Sequence, residues 1–76
     1  MLYRLVDCKE GSLVRLIEID AGQKAILNLI HLGLNLGDTI KIRRKSSLRG
    51  PVAVSHNGTD IAIGFGLAQK ILVKKL

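Results

Sequence analysis

The chain has almost no aromatic residues: Tyr3 and Phe65 are the whole complement of 76 residues, and tryptophan is absent. An aromatic-lined groove of the kind that grips polyproline segments therefore has little to be made from. The same holds for the stacking platforms on which single-stranded nucleic acids lie. Cysteine is equally scarce. Cys8 stands alone, so no disulfide can form within the chain. The 6 acidic residues are scattered, and none is paired for general acid–base work. Cys8, His31 and His56 fall in separate segments, with no nucleophile and base at a spacing that argues for catalysis. The familiar metal-ligand spacings are missing too. A metal site assembled from Cys8, His31 or His56 across the fold, or across a dimer, is the route left open. No secretory segment follows Met1 and no long charge-free apolar run occurs, which predicts a soluble, cytoplasmic protein. No enzyme activity and no cofactor are expected.

What the chain does have is base and aliphatic bulk. Lysine and arginine number 12, giving a net charge of +6, and 47% of residues are hydrophobic. The charge suits an acidic protein, a nucleic acid or the anionic inner face of a membrane. The length allows one domain, residues 1–76. So small a domain buries only about 60% of the surface its unfolded chain exposes. Without disulfides it must rely on an unusually apolar core or on association, and a homo-oligomer is one way to gain the latter.

Residues 21–42 are the most informative stretch. Asp20-Ala21-Gly22 reads as a turn feeding a helix, with Asp20 a candidate cap. On a helical wheel Lys24, Asn28 and His31 form one narrow polar stripe, and aliphatic residues fill nearly everything else. A helix lying on one sheet needs an apolar arc of about 100° or somewhat more, and this one has far more. The surplus, centred on Leu27, must meet a loop, another element or a partner. Gly33 fits the left-handed residue that ends a helix. An apolar bridge Leu34-Asn35-Leu36 and a turn at Gly37-Asp38 follow.

The rest of the chain is β-patterned. Residues 2–11 begin extended, with Leu2 and Leu5 as anchors. Residues 12–19 are strand-like but change phase, because Leu13, Val14, Leu16, Ile17 and Ile19 cannot share one face without a bulge or strong bend. Residues 38–45 alternate, with Ile40 and Ile42 inward and Lys41, Arg43 and Lys45 outward. A loop over residues 46–50 is closed by Pro51, which suits a strand's first residue or an edge. Val52 and Val54 face inward, and Asn57-Gly58 predicts a type I′ hairpin turn. Ile61, Ile63 and Phe65 point inward on the return, a tight helical turn follows over residues 66–69, and Ile71-Leu72-Val73 is a last strand. Gly64-Phe65-Gly66 lacks the third glycine and the βαβ unit of a dinucleotide loop.

This order predicts a mainly β, small SH3-like barrel of about five short strands. One α-helix is inserted after the first long strand, and a short helical turn precedes the last. A five-stranded OB-type barrel is the alternative. Lys41, Arg43, Arg44, Lys45 and Arg49 form the one concentrated charge feature, either a solvated face that protects a strand edge or a docking surface.

Over nearly its whole length the sequence resembles the ferrous iron transport protein A family. The resemblance lies in Leu2-x-x-Leu5 with Gly11, then Ile17, Ile19 and Gly22. It continues through Leu29, Leu32-Gly33-Leu34, Gly37 and Ile40, then Pro51-Val52-x-Val54, Gly58 and Ile61. It ends on Ala68-x-x-Ile71-x-Val73. The chain departs from that pattern at Asn28, where relatives commonly carry arginine. The resemblance implies a non-enzymatic accessory or regulatory protein of ferrous iron uptake. It implies contact with the cytoplasmic, GTP-binding part of the membrane iron permease, ferrous iron transport protein B, and leaves transition-metal binding open. A related domain serves as an interaction module in metal-dependent transcriptional repressors. Leu27, His31, Leu34 and Asn35 are the expected partner contacts, and Gly22, Gly33, Gly37, Pro51 and Gly58 the expected structural turns. A small basic nucleic-acid-binding barrel, using the Lys41–Arg49 cluster, is the alternative function.

Overall fold

The phase change in the first long strand is resolved by a bulge. The computed structural model describes residues 1–76 except Ser47, which belongs to the 46–50 loop and lies outside the described residues. Strand β2 (Leu13–Ile19) pairs with the last strand, β6 (Ile71–Lys75), and its register slips between Leu16 and Glu18. Ile17 is the extra residue. Val14 and Leu16 are therefore buried while Leu13 and Ile17 face outward, as one additional residue in one strand of a ladder requires.

Among the described residues six strands form one antiparallel sheet in the order β1-β6-β2-β3-β4-β5. They are β1 (Tyr3–Arg4), β2, β3 (Thr39–Lys45), β4 (Val52–His56), β5 (Thr59–Ile63) and β6. The strand beyond the expected five is β1, a two-residue pairing of Tyr3 with Val73 and Arg4 with Leu72. A single 3₁₀ turn, Leu5–Asp7, follows it. Leu5 is buried, whereas Leu2 is exposed and anchors nothing. The helix α1 (Gln23–His31) joins β2 to β3, and the four-residue α2 (Phe65–Ala68) precedes β6. This is the SH3-like arrangement.

The core is aliphatic. Leu16, Ile40, Ile42, Val54, Ile63 and Val73 are each essentially inaccessible to solvent, as the alternation on their strands demands. Leu29 of α1 and Ala68 of α2 close over it.

Strand β3 departs from clean alternation. Ile42 pairs with Val54, but the next pair is Arg44 with Ala53, so Arg43 is a second bulged residue. Arg43 and Arg44 consequently both lie on the exposed surface, and Lys45, expected outward, is half-buried opposite Val52. The Lys45 N–H donates to Glu10 Oε2 at 2.8 Å, which ties the strand's end to the loop after the 3₁₀ turn.

Between β4 and β5, Asn57 and Gly58 have φ of 49° and 81°. Both central residues of a type I′ turn take positive φ. Pro51 stands just outside β4 rather than at its first position, and its carbonyl accepts from the Ser46 N–H at 3.2 Å.

Candidate functional site

Helix α1 starts at Gly22 without any side-chain cap. Asp20, expected as the cap, is instead an exposed residue whose N–H donates to the Lys70 carbonyl at 2.8 Å. The specific closure of the helix lies at its other end. There the Gly33 N–H donates to the Ile30 carbonyl (2.9 Å) and the Leu34 N–H to the Leu29 carbonyl (3.1 Å). Gly33 takes φ of 92°. These two bonds around a left-handed residue are the Schellman closure of a helix. The apolar contact that goes with it is between Leu34 and Leu29, both fully buried.

This closure corrects one expectation. Leu34 is 0% exposed and cannot meet a partner, because the motif that ends the helix folds it under Leu29. Leu27 is 51% exposed and Ile30 46%. With His31, also exposed, they stand at i, i+3 and i+4 and share one face of the helix. Only Leu29 is fully buried on α1, with Ala25 and Ile26 half-buried beside it. The apolar surplus seen in the sequence is therefore real: the sheet takes one arc, and Leu27 and Ile30 face outward on another. Ile30 was not singled out in advance, since a helix that is aliphatic nearly all round does not reveal which arc the sheet will take.

Asn35 is exposed beyond Gly33, and its N–H donates to Asp38 Oδ2 at 2.8 Å. That bond closes the loop, with Gly37 at φ 96°, and sets Asp38 against His56, whose Nε2 is 3.4 Å away. His56 Nδ1 in turn lies 3.1 Å from the Thr39 carbonyl oxygen. Sequence reasoning missed this pair, because Asp38 and His56 are 18 positions apart and meet only through the β3–β4–β5 arrangement.

The basic residues are only partly brought together. Arg43 and Arg44 line a shallow depression of about 350 Å³ with Ala53 and Asp60. Lys41 is exposed on the same strand. Arg49 lies across the Phe65 ring, 6.0 Å from its centroid, and Lys75 Nζ covers Tyr3 at 4.5 Å. Each aromatic thus carries a cation over one face. A second open cleft of about 320 Å³ lies between the start of α1 and α2, lined by Gly22, Lys24, Asn28, Gly66 and Lys70 among others.

Cys8 is buried, its Sγ 3.6 Å from the Arg4 carbonyl oxygen. Burial pushes its thiol above the ordinary range, against the pull of Lys75 and Lys45. A thiol so placed is neither a nucleophile nor a ready metal ligand. Among the described residues no three His, Cys, Asp or Glu side chains converge. No helix among them is long and apolar enough to cross a membrane.

Comparison with known proteins gives the context. A family model described as the FeoA domain matches residues 3–75. A Methanocaldococcus jannaschii protein, "Putative Fe(2+) transport protein A", is 44% identical over 73 residues, covering 96% of this chain and 87% of that protein. The crystal structure of an iron uptake regulatory protein, FeoA, superposes with a TM-score of 0.87 at 33% identity, over 100% of this chain and 99% of that one. A manganese-dependent transcriptional repressor gives the same TM-score at 21% identity, matching 99% of this chain to 42% of its own. The last likeness is one of fold.

Proposed function

The chain belongs to the FeoA domain family, and from that membership we propose that residues 1–76 act as one non-enzymatic, cytoplasmic accessory domain of ferrous iron uptake. The partner is the membrane ferrous iron permease, met at its GTP-binding region, so that the chain is peripheral to the membrane through that contact. The observation that carries this reading is the outward apolar arc of α1, with Leu27 at 51% and Ile30 at 46% exposure beside His31 and Asn35. Two large aliphatic side chains held on one helical face, with polar residues at the rim, make the centre of a small protein interface.

The nucleic-acid alternative has less in its favour. The bulge at Arg43 does place two guanidinium groups side by side at the surface. Both aromatic rings, however, are half-buried and capped by a cation, which leaves no platform for a base.

The test is a calorimetric titration of the purified chain into the purified GTP-binding region of the permease. Leu27→Glu should lose at least about tenfold in affinity while keeping its melting temperature, since truncating or charging a central interface residue costs about 2 kcal/mol or more. Equal affinity for the wild-type and Leu27→Glu chains would refute the proposed face. A steep loss of oligonucleotide affinity with salt would favour the alternative.

A further inference from the structure

The outward face of the central strands carries cations that nothing on the chain neutralises. In the β2–β6 ladder Arg15 stands directly opposite Lys74, and in the β2–β3 ladder Leu13 stands directly opposite Lys41. Residues opposed in this way point to the same face of a sheet. Val14 and Leu16, on either side of Arg15, are buried, whereas Arg15, Lys41 and Lys74 are exposed. Like charges set directly opposite each other cost stability. Among the described residues none of these three cations makes an ion pair.

The acids are engaged or placed elsewhere. Asp7 pairs with Arg4, Asp38 faces His56, and Glu10 accepts the Lys45 N–H. Glu18 follows the bulge, opposite Leu72, and Asp60 lies two strands beyond Lys41, across Ser55. Arg43 and Arg44, both at the surface through the bulge in β3, extend the basic face from Lys41. Two large aliphatic side chains share it. Leu13 is 52% exposed, and Leu76, whose N–H donates to the Leu13 carbonyl at 3.1 Å, is 58% exposed.

We propose that the outer face of β6, β2 and β3, with Leu13 and Leu76 set among Arg15, Lys41 and Lys74, docks directly on a bilayer surface that contains anionic phospholipid. Headgroup phosphates supply the missing counter-charges. The leucines reach the boundary between headgroups and acyl chains, where basic and aliphatic side chains are both accommodated. A nucleic acid matches the cations but offers no aliphatic layer for Leu13 and Leu76. The patch lies at the start of β2, about 20 Å along that strand from the end that feeds α1. Lipid contact therefore leaves the Leu27 arc free, and it stands or falls apart from the permease reading.

The experiment is flotation of the purified, full-length chain with vesicles at several salt concentrations. One set holds phosphatidylglycerol and phosphatidylcholine in equal parts, the other phosphatidylcholine alone. The chain should float with the first set only, and less as salt rises. Arg15→Gln combined with Lys74→Gln should weaken association about 25-fold, at about fivefold for each cation removed. That double variant should melt no lower than wild type, because the opposed charges are gone. Leu13→Ser should weaken association at least about threefold. Lys24→Gln combined with Lys70→Gln removes the same charge near the start of α1 and the end of α2. It should weaken association about twofold or less, since headgroup attraction acts on cations held near the surface. Equal losses in the two double variants would reduce the effect to net charge and overturn the proposal. So would failure to float, equal flotation with phosphatidylcholine alone, or full association of Arg15→Gln with Lys74→Gln. Loss of oligonucleotide binding in that variant, with vesicles ignored by wild type, would assign the face to nucleic acid instead.

Discussion

The Leu34 N–H donates to the Leu29 carbonyl at 3.1 Å, and the two side chains are buried together beneath the end of α1. Leu27, two residues before Leu29, faces the opposite way and is half exposed. The same short segment thus supplies a core wedge and a free surface, and the two have different energetic signatures.

Leu34→Ala should destabilise the fold by about 2–5 kcal/mol, the usual cost of emptying a buried leucine site. Leu27→Ala should change stability by about 0.5 kcal/mol or less, as exposed substitutions do. Urea denaturation of the two variants checks the contrast, and similar midpoints would mean that α1 sits otherwise on the sheet.

At Gly33 the backbone has φ of 92°, and no neighbouring atom lies within 4 Å of where a Cβ would stand. Gly33→Ala should therefore cost about 1–2 kcal/mol from backbone conformation alone. A loss well above that, measured by thermal melts, would reveal a steric clash that the open surroundings exclude.

How far these features could be read in advance depended on local signals. Asn57-Gly58 announced its turn because a type I′ turn needs two positive φ values, and both are present. The bulge at Ile17 was legible because apolar residues flank the slip on both sides and their phase changes. The bulge at Arg43 was not: after Ile42 the strand runs Arg43-Arg44-Lys45, and no apolar residue marks which side faces in. Leu34 looked like part of an exposed apolar bridge, because the Schellman closure that buries it is a backbone event. Asp20 seemed a cap by residue type, but Gly22 holds that position. Asp38 and His56 meet only in three dimensions.

Glu10 Oε2 accepts the Lys45 N–H at 2.8 Å, joining segments 35 positions apart. Glu10→Gln keeps an acceptor and should be nearly neutral, whereas Glu10→Ala should cost about 0.5–1.5 kcal/mol. Amide hydrogen exchange at Lys45 should quicken in Glu10→Ala. Unchanged exchange would show the bond to be dispensable.

Burial holds the Cys8 thiol in its protonated form, raising its pKa in the folded chain. The fold thus binds this proton more tightly than the unfolded chain does. The resulting stabilisation is complete below the ordinary thiol value of about 8.5 and is lost as pH rises from there through the folded value. The stability difference between wild type and Cys8→Ala should accordingly shrink above that pH. A thiol-specific reagent at neutral pH should label Cys8 only as the chain unfolds, and fast labelling of the folded protein would contradict its burial.

The central claim, that the outward arc of α1 is the docking face, is tested most directly by backbone NMR shift mapping on addition of the permease's GTP-binding region. Changes should concentrate at Leu27, Ile30, His31 and Asn35. A footprint confined to Lys41, Arg43, Arg44 and Lys45, or no footprint at all, would contradict it.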